Sequence, residues 1–468
     1  MASIPPSSLP NTVSDLTPAG WSPTSWRSRK IAQEVTYEDA ELLEATLAKL
    51  RVLPPLATSW EIERLKGQLA EAQDGKRFVL QGGDCAESFD DCTSPIVASK
   101  LKILLQMSLV LVQGSKRPVV RIGRFAGQYA KPRSSATETR DGVTLPSFFG
   151  DLTNGPEFTV ESRRADPKRM LEGYSRAALT LNFVRALSEG GFADLHHPEY
   201  WDLSFLRGAA LPDHLRESYQ HASRQLAEAL RFMEAIGEKT VDQLTRVEFF
   251  TSHEGLNLHY ESAQTRRVPR RLGHYTLTTH LPWIGERTRD LDGAHVEFFR
   301  GVMNPVGVKI GPSLDGDGLL RLLDRLDPIN EPGKIMLITR MGAKKVSGAL
   351  PPILRALTSA GRRVLWMCDP MHGNTVSTSS GVKTRVFTEI LDELERTFDA
   401  HDDAGSWLGG VHFELTGEDV TECTGGATGL TEHDLSKNYA STCDPRLNYA
   451  QAMEMAFRVA QRMGKRRR

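Results

Sequence analysis

Residues 364–375 read VLWMCDPMHGNT, an unbroken apolar run that passes directly into a polar turn. A run without the alternation of a half-solvated strand is how a parallel strand covered on both faces reads. Cys368, Asp369 and His372 at its far end serve no core, so the strand carries them towards something. Seven other runs have the same design: 77–84 (RFVLQGGD), 118–125 (PVVRIGRF), 247–252 (VEFFTS), 281–285 (LPWIG), 306–311 (VGVKIG), 335–340 (IMLITR) and 410–416 (GVHFELT). Helix-period segments lie between them, over 96–112, 167–188, 319–326, 346–360, 384–398 and 447–462. Eight strands spaced by helices predict an α/β fold closed into a (β/α)8 barrel, in preference to an open sheet.

Two parts exceed the minimal barrel. Residues 24–75 hold helical patterns over 37–51 and 60–74, separated by Pro54-Pro55. The interval between the second and third strands carries an extra helix over 212–237. The expected organisation is a flexible Ser/Pro-rich arm (1–23), a helical extension (24–75) and the barrel (76–468), with an insertion around 190–240. Such additions serve oligomer contacts or regulation, and the sequence leaves open which.

Composition narrows the partners. A formal net charge of −1 over 468 residues provides no global field for nucleic acid or an anionic membrane. Five cysteines, odd in number and widely spaced, argue for a reducing compartment over a disulfide framework. No run is expected to reach the roughly 18 apolar residues of a membrane helix, and no signal-peptide apolar region opens the chain. The basic end, 464–468, reads as a solvated tail. The expectation is a cytoplasmic protein with neither nucleic-acid nor membrane partners.

A barrel of this kind builds its site at the carboxyl ends of its strands. The first strand ends in Gly82-Gly83-Asp84-Cys85, the seventh in Cys368-Asp369-Pro370-Met371-His372, and the eighth carries His412 and Glu414. Asp444 follows downstream. Singly, Cys85 reads as a small buried residue and His372 as a hydrogen-bonded loop histidine. Together, Cys85, His372, Glu414 and Asp444 form a mixed S/N/O set suited to Mn²⁺, Fe²⁺, Co²⁺ or Zn²⁺. Basic residues mark the other ends: Arg121, Arg124, Lys131 and Arg133 after the second strand, Arg287 and Arg289 after the fourth, Lys309 on the fifth, and Arg340, Lys344 and Lys345 after the sixth. In a nearly neutral chain this gathers positive charge at one mouth. Arg forks and Lys point charges there suit a multiply phosphorylated substrate. Neither a P-loop nor a Gly-x-Ser-x-Gly elbow is present.

The segments LQGGDCAESF, AGQYAKPRS, TSHE, WIGERTRDLDGAHVEF, NPVGVKIGP, RMGAKKV, CDPMHGNT, GVHFELTGEDVTEC and CDPRLN occur in this order. They resemble the type II (plant-type) 3-deoxy-D-arabino-heptulosonate 7-phosphate (DAHP) synthases, and the likeness runs from about Trp21 to the end of the chain. The resemblance implies condensation of phosphoenolpyruvate with D-erythrose 4-phosphate, the first step of the shikimate pathway, carried out by a homo-oligomer (dimer or tetramer). It puts metal ligands on Cys85, His372, Glu414 and Asp444, with Mn²⁺ foremost. It assigns phosphoenolpyruvate to Arg124, Glu286, Arg287, Lys309 and Arg340, and erythrose 4-phosphate to Lys131, Pro132, Arg133 and Ser134. Catalytic roles fall on Lys131 as proton donor, Glu286 as orienter of water, and Glu254. Cys443 is implied to pair with Cys85 under oxidation when metal is absent. Two stretches depart from the family pattern: Phe149 stands where an Arg is usual, and residues 195–202 differ. An amino-sugar phosphate substrate, or a silent metabolite-sensing relative, are the alternative readings.

Overall fold

In the computed structural model, eight parallel strands close on themselves: β1 (Phe78–Gly83), β2 (Val119–Arg124), β3 (Phe250–Glu254), β4 (Leu281–Ile284), β5 (Val306–Ile310), β6 (Ile335–Thr339), β7 (Leu365–Cys368) and β8 (Leu408–Glu414). Each pairs with its neighbours in chain order, and β1 pairs with both β2 and β8 to seal the cylinder. The structure describes residues 17–190, 203–204, 211–236 and 248–465. The first 16 residues of the expected arm, the 195–202 departure, much of the 190–240 insertion and the last three residues of the tail lie outside them.

Strands β1, β5, β6, β7 and β8 are buried at every position, which is why their sequences show no alternation. Inside the barrel, Val79, Val120, Ile122, Phe250, Leu281, Met336, Ile338 and Met367 form one apolar cluster. Leu65, Leu69 and Ala72 belong to that same cluster. They come from the helix Ser59–Gln73, whose start is fixed by a reciprocal capping box between Thr58 and Glu61. The second helix of the extension therefore stops the amino-terminal end of the barrel, leaving the carboxyl-terminal mouth for chemistry.

Three differences from the sequence reading bear on the site. The third strand covers 250–254 instead of 247–252, because the apolar run begins before the ladder does, and the shift brings His253 and Glu254 into the strand. The eighth ends at Glu414, not Thr416. Helix Ser94–Ser115 corrects the expectation that no segment matches a membrane span: it is long and apolar enough by composition. Its apolar residues, among them Leu101, Leu104, Met107 and Leu111, are instead buried in the main core of the fold. Three antiparallel hairpins decorate the described residues, and the one formed by Thr375–Ser377 and Lys383–Arg385 bends over the mouth.

Candidate active site

The register of β2, β1 and β8 sets the first contact. Arg124, Gly83 and Glu414 stand level on the three adjacent strands. Gly83 has no side chain to stand between its neighbours, and its φ of +141° would drive a Cβ to 2.8 Å from the Arg124 carbonyl. Arg124 Nη2 reaches Glu414 Oε1 at 2.9 Å across it. Arg124 is held from behind by the carbonyls of Asp84 (3.0 Å) and Cys85 (3.3 Å).

Glu414 is fully buried and collects three partners. His372 Nε2 lies 2.9 Å from Oε1, and Arg385 Nη1 lies 2.7 Å from Oε2. Burial would raise this carboxyl, but His372, Arg385 and Arg124 hold it well below the usual carboxylate range. Beside it, Lys131 Nζ sits 2.6 Å from Cys85 Sγ and 2.7 Å from Asp444 Oδ2. Lys383 Nζ meets the other Asp444 oxygen at 2.9 Å. Against the effect of burial, Lys131 leads in holding Asp444 ionised, while burial pushes the Cys85 thiol well up. Ligand atoms of Cys85, Glu414 and Asp444 all lie within 4.8 Å of one another. His372 joins that group through its contact with Glu414. One sulfur, one imidazole and two carboxylates fit a divalent transition metal.

Asp369 orients the imidazole. Its Oδ2 takes the Nδ1 side of His372 at 2.7 Å and is also bonded to Lys309 Nζ, which leaves Nε2 facing Glu414. Burial, with the charge of Arg124 nearby and against the pull of Asp369, pulls the Lys309 ammonium down to about 8. Arg124 and Lys309 both lie over the Trp283 ring, at 5.1 and 6.0 Å. Arg340 Nη2 donates to the His372 carbonyl at 2.7 Å. Burial raises the Glu254 carboxyl, and its Oε1 meets no partner among the described residues. Glu286 instead receives Arg289 at 2.6 Å.

Every residue assigned a metal, substrate or catalytic role, Glu414 excepted, lines one cleft, and Glu414 stands behind it on His372 and Arg124. Arg121, Arg289, Lys344 and Lys345, expected at the same basic mouth, do not line it: Arg121 donates to Ser108 Oγ, and Lys344 and Lys345 are exposed. Pro132, Arg133 and Ser134 form the outer rim together with Arg287. Both Cys85 and Cys443 are free thiols, and the Cys443 thiol is lowered to about 6, chiefly by its hydrogen bond with Cys85. Phe149 contributes main chain to the site: its carbonyl accepts from Lys131 N at 2.8 Å, a bond that any residue type makes.

Lys383, Arg385 and Trp283 have no place among the residues expected from sequence, and Asp369 is named there without a partner. Asp369 stood in the opening stretch without a role, and Trp283 passed as an apolar strand residue. Lys383 and Arg385 follow a Ser/Thr/Gly turn at 377–381, remote from any strand end, and only the hairpin brings them to the mouth.

A donor cluster able to hold a metal, beside buried cations at the carboxyl mouth of an eight-stranded barrel, is the arrangement of a barrel enzyme that acts on anions. The chain belongs to the Class-II DAHP synthetase family, whose model matches residues 21–460. It is accordingly an enzyme of the 3-deoxy-7-phosphoheptulonate synthase type, the activity that opens the shikimate pathway. A phospho-2-dehydro-3-deoxyheptonate aldolase of Neurospora crassa is 50% identical over 457 residues, 94% of each chain. The protein of that name in Streptomyces coelicolor is 47% identical over 438 residues, 93% of this chain and 96% of its own. A third, from Mycolicibacterium smegmatis, is 44% identical over 428 residues, 90% of each.

Proposed function

We propose that the cleft joins C3 of phosphoenolpyruvate to the aldehyde carbon of D-erythrose 4-phosphate, with a divalent metal held by Cys85, His372, Glu414 and Asp444. The observation that carries this reading is the single cleft in which Lys131 touches both Cys85 and Asp444 while Arg124, Lys309 and Arg340 stand beside them. Mn²⁺ is the metal put first, with Co²⁺, Fe²⁺ or Zn²⁺ as alternatives; when bound it supplies Lewis-acid polarisation of the aldehyde oxygen.

The chain's own residues supply the rest. Arg124, Arg287, Lys309 and Arg340 bind the phosphate and carboxylate of phosphoenolpyruvate, the task for which forked guanidiniums and a point ammonium are suited. Lys131 gives a proton to the alkoxide that forms as the new C–C bond closes. Glu286 orients the water that adds at C2; the C2–O bond to phosphate then breaks and inorganic phosphate leaves. Glu254, half-buried and raised by desolvation, faces the same space as a carboxyl able to hold a proton. Pro132, Arg133 and Ser134 receive the erythrose phosphate at the rim. We read the enzyme as a cytoplasmic homo-oligomer acting on small phosphorylated substrates, with no nucleic-acid or membrane partner. No observation favours an amino-sugar phosphate, since the position of Phe149 engages Lys131 only through main chain. A silent relative is disfavoured by the intact cleft.

Loss of phosphoenolpyruvate absorbance with Mn²⁺ and erythrose 4-phosphate tests the reading. Turnover in wild type that disappears in Cys85→Ala is the expected result. Survival of turnover in Cys85→Ala overturns the ligand set, and a folded, Mn²⁺-loaded wild type without turnover overturns the substrates.

A further inference from the structure

Helix Phe387–Asp403 covers the outside of the barrel, and its Glu393 is fully buried. A carboxylate buried without a cation is costly and needs a reason. Among the described residues its side chain meets three donors and no positive group. The main-chain amides of Met341 and Gly342 donate to Oε1 at 2.7 and 2.9 Å, and Asn374 Nδ2 donates to Oε2 at 2.7 Å.

Those donors belong to two turns with different tasks. Met341 and Gly342 directly follow Arg340, and Asn374 lies two residues after His372. Other bonds knit the turns together: Ala343 N donates to Asn374 Oδ1 at 3.0 Å, and Arg340 Nη2 to the His372 carbonyl at 2.7 Å. Their backbones touch as well, for a Cβ on Gly373 would lie 2.4 Å from Gly342 N. The same helix takes hold of the first turn again, where Arg396 Nη1 donates to the Ala343 carbonyl at 3.3 Å.

We propose that Glu393 is a positioning residue that fixes the distance between Arg340 and His372, and so between the phosphate-holding and metal-holding halves of the cleft. This rests on the function proposed above. Glu393 touches neither substrate nor metal; it acts by fastening both turns to one helix.

The test uses the chemistry of the three bonds. In E393Q the amide carbonyl still accepts from Met341 and Gly342, but its NH₂ faces the NH₂ of Asn374, so the His372 turn alone is released. Titration of the full-length protein with Mn²⁺ is expected to show affinity reduced by about 10–100-fold in E393Q, the usual effect of loosening a ligand's support, with the KM for phosphoenolpyruvate changed by less than about threefold. N374A removes the same bond from the half-buried partner together with the bonds Asn374 makes to Ala343 N and the Pro370 carbonyl, and is expected to weaken Mn²⁺ binding at least as much as E393Q. The double variant E393Q/N374D restores a donor–acceptor pair and is expected to recover Mn²⁺ affinity. Wild-type affinity in both single variants overturns the proposal. So does a double variant no better than E393Q, which marks general damage to the fold. If wild type itself neither takes up Mn²⁺ nor consumes phosphoenolpyruvate, the function proposed above has failed instead.

Discussion

Lys131 Nζ lies 2.6 Å from Cys85 Sγ, and the lysine is buried. An ammonium in that position does two opposite things. It holds a proton that can be given to a group bound in the cleft, and it repels any cation that approaches the same sulfur and the Asp444 carboxylate. Charge and proton supply are therefore separable by substitution at this one position.

Lys131→Met keeps the length of the side chain and removes its charge. The expected result is a fall in kcat of about 10²–10⁴-fold, the usual worth of a positioned proton donor. Mn²⁺ affinity measured by titration is expected to stay level or tighten, because a competing positive charge is gone. A variant with near wild-type kcat would exclude Lys131 as the donor.

Lys309 supplies a pH dependence whose sign follows from its environment. Burial pulls its ammonium down to about 8, so it is cationic below that pH and neutral above it. An anionic substrate then loses a partner as pH rises. The kcat/KM for phosphoenolpyruvate is expected to fall on an alkaline limb near pH 8, by about tenfold per pH unit once the lysine is deprotonated. Lys309→Arg retains charge across the whole range, and its profile is expected to lack that limb. A limb that persists unchanged in the variant assigns it to another group.

The parts of this site that were legible in the sequence are those carried by strand ends. Cys85, Arg124, Lys309, Arg340, His372 and Glu414 each close an apolar run, and a strand covered on both faces must stop abruptly where its polar residues begin. Glu393, Lys383 and Gln33 left no such mark. Lys383 reaches Asp444 from 61 positions away through a hairpin, and Gln33 reaches Arg133 from 100 positions away. Glu393 sits in a helical period that predicts which face is buried but not what that face will touch. Strand β3 begins later than its apolar run for a related reason, since Phe249 extends the run without joining the ladder.

Gln33 leads to a prediction about the 24–75 extension, whose role the sequence left between oligomer contacts and regulation. With its backbone at φ +60°, Gln33 accepts from Arg133 N at 2.6 Å, and so holds the Lys131–Ser134 loop in place from outside the barrel. Gln33→Ala removes one hydrogen bond, worth about 1 kcal/mol, or roughly fivefold in an equilibrium. The KM for erythrose 4-phosphate is expected to rise by about that factor while the KM for phosphoenolpyruvate hardly moves. Equal shifts in both constants would assign Gln33 a general structural role.

Arg385 and Glu414 test the balance of charge beneath the cleft. Arg385 is fully buried; its Nη1 donates to Glu414 Oε2 at 2.7 Å and its Nε to Thr375 Oγ1 at 2.9 Å. Removing one partner of a buried pair leaves the other uncompensated, at a cost of about 3–5 kcal/mol. Arg385→Met is therefore expected to lower the thermal midpoint of the metal-free protein substantially. A bound divalent ion would return positive charge to the same carboxylate, and a ligand stabilises a fold in proportion to its affinity for it. Addition of Mn²⁺ is accordingly expected to raise the midpoint more in Arg385→Met than in wild type, as read by calorimetry at matched Mn²⁺ concentration. Equal increments would mean that Arg124 and His372 already satisfy Glu414, and that Arg385 serves only to join the two strands of its own hairpin through Thr375.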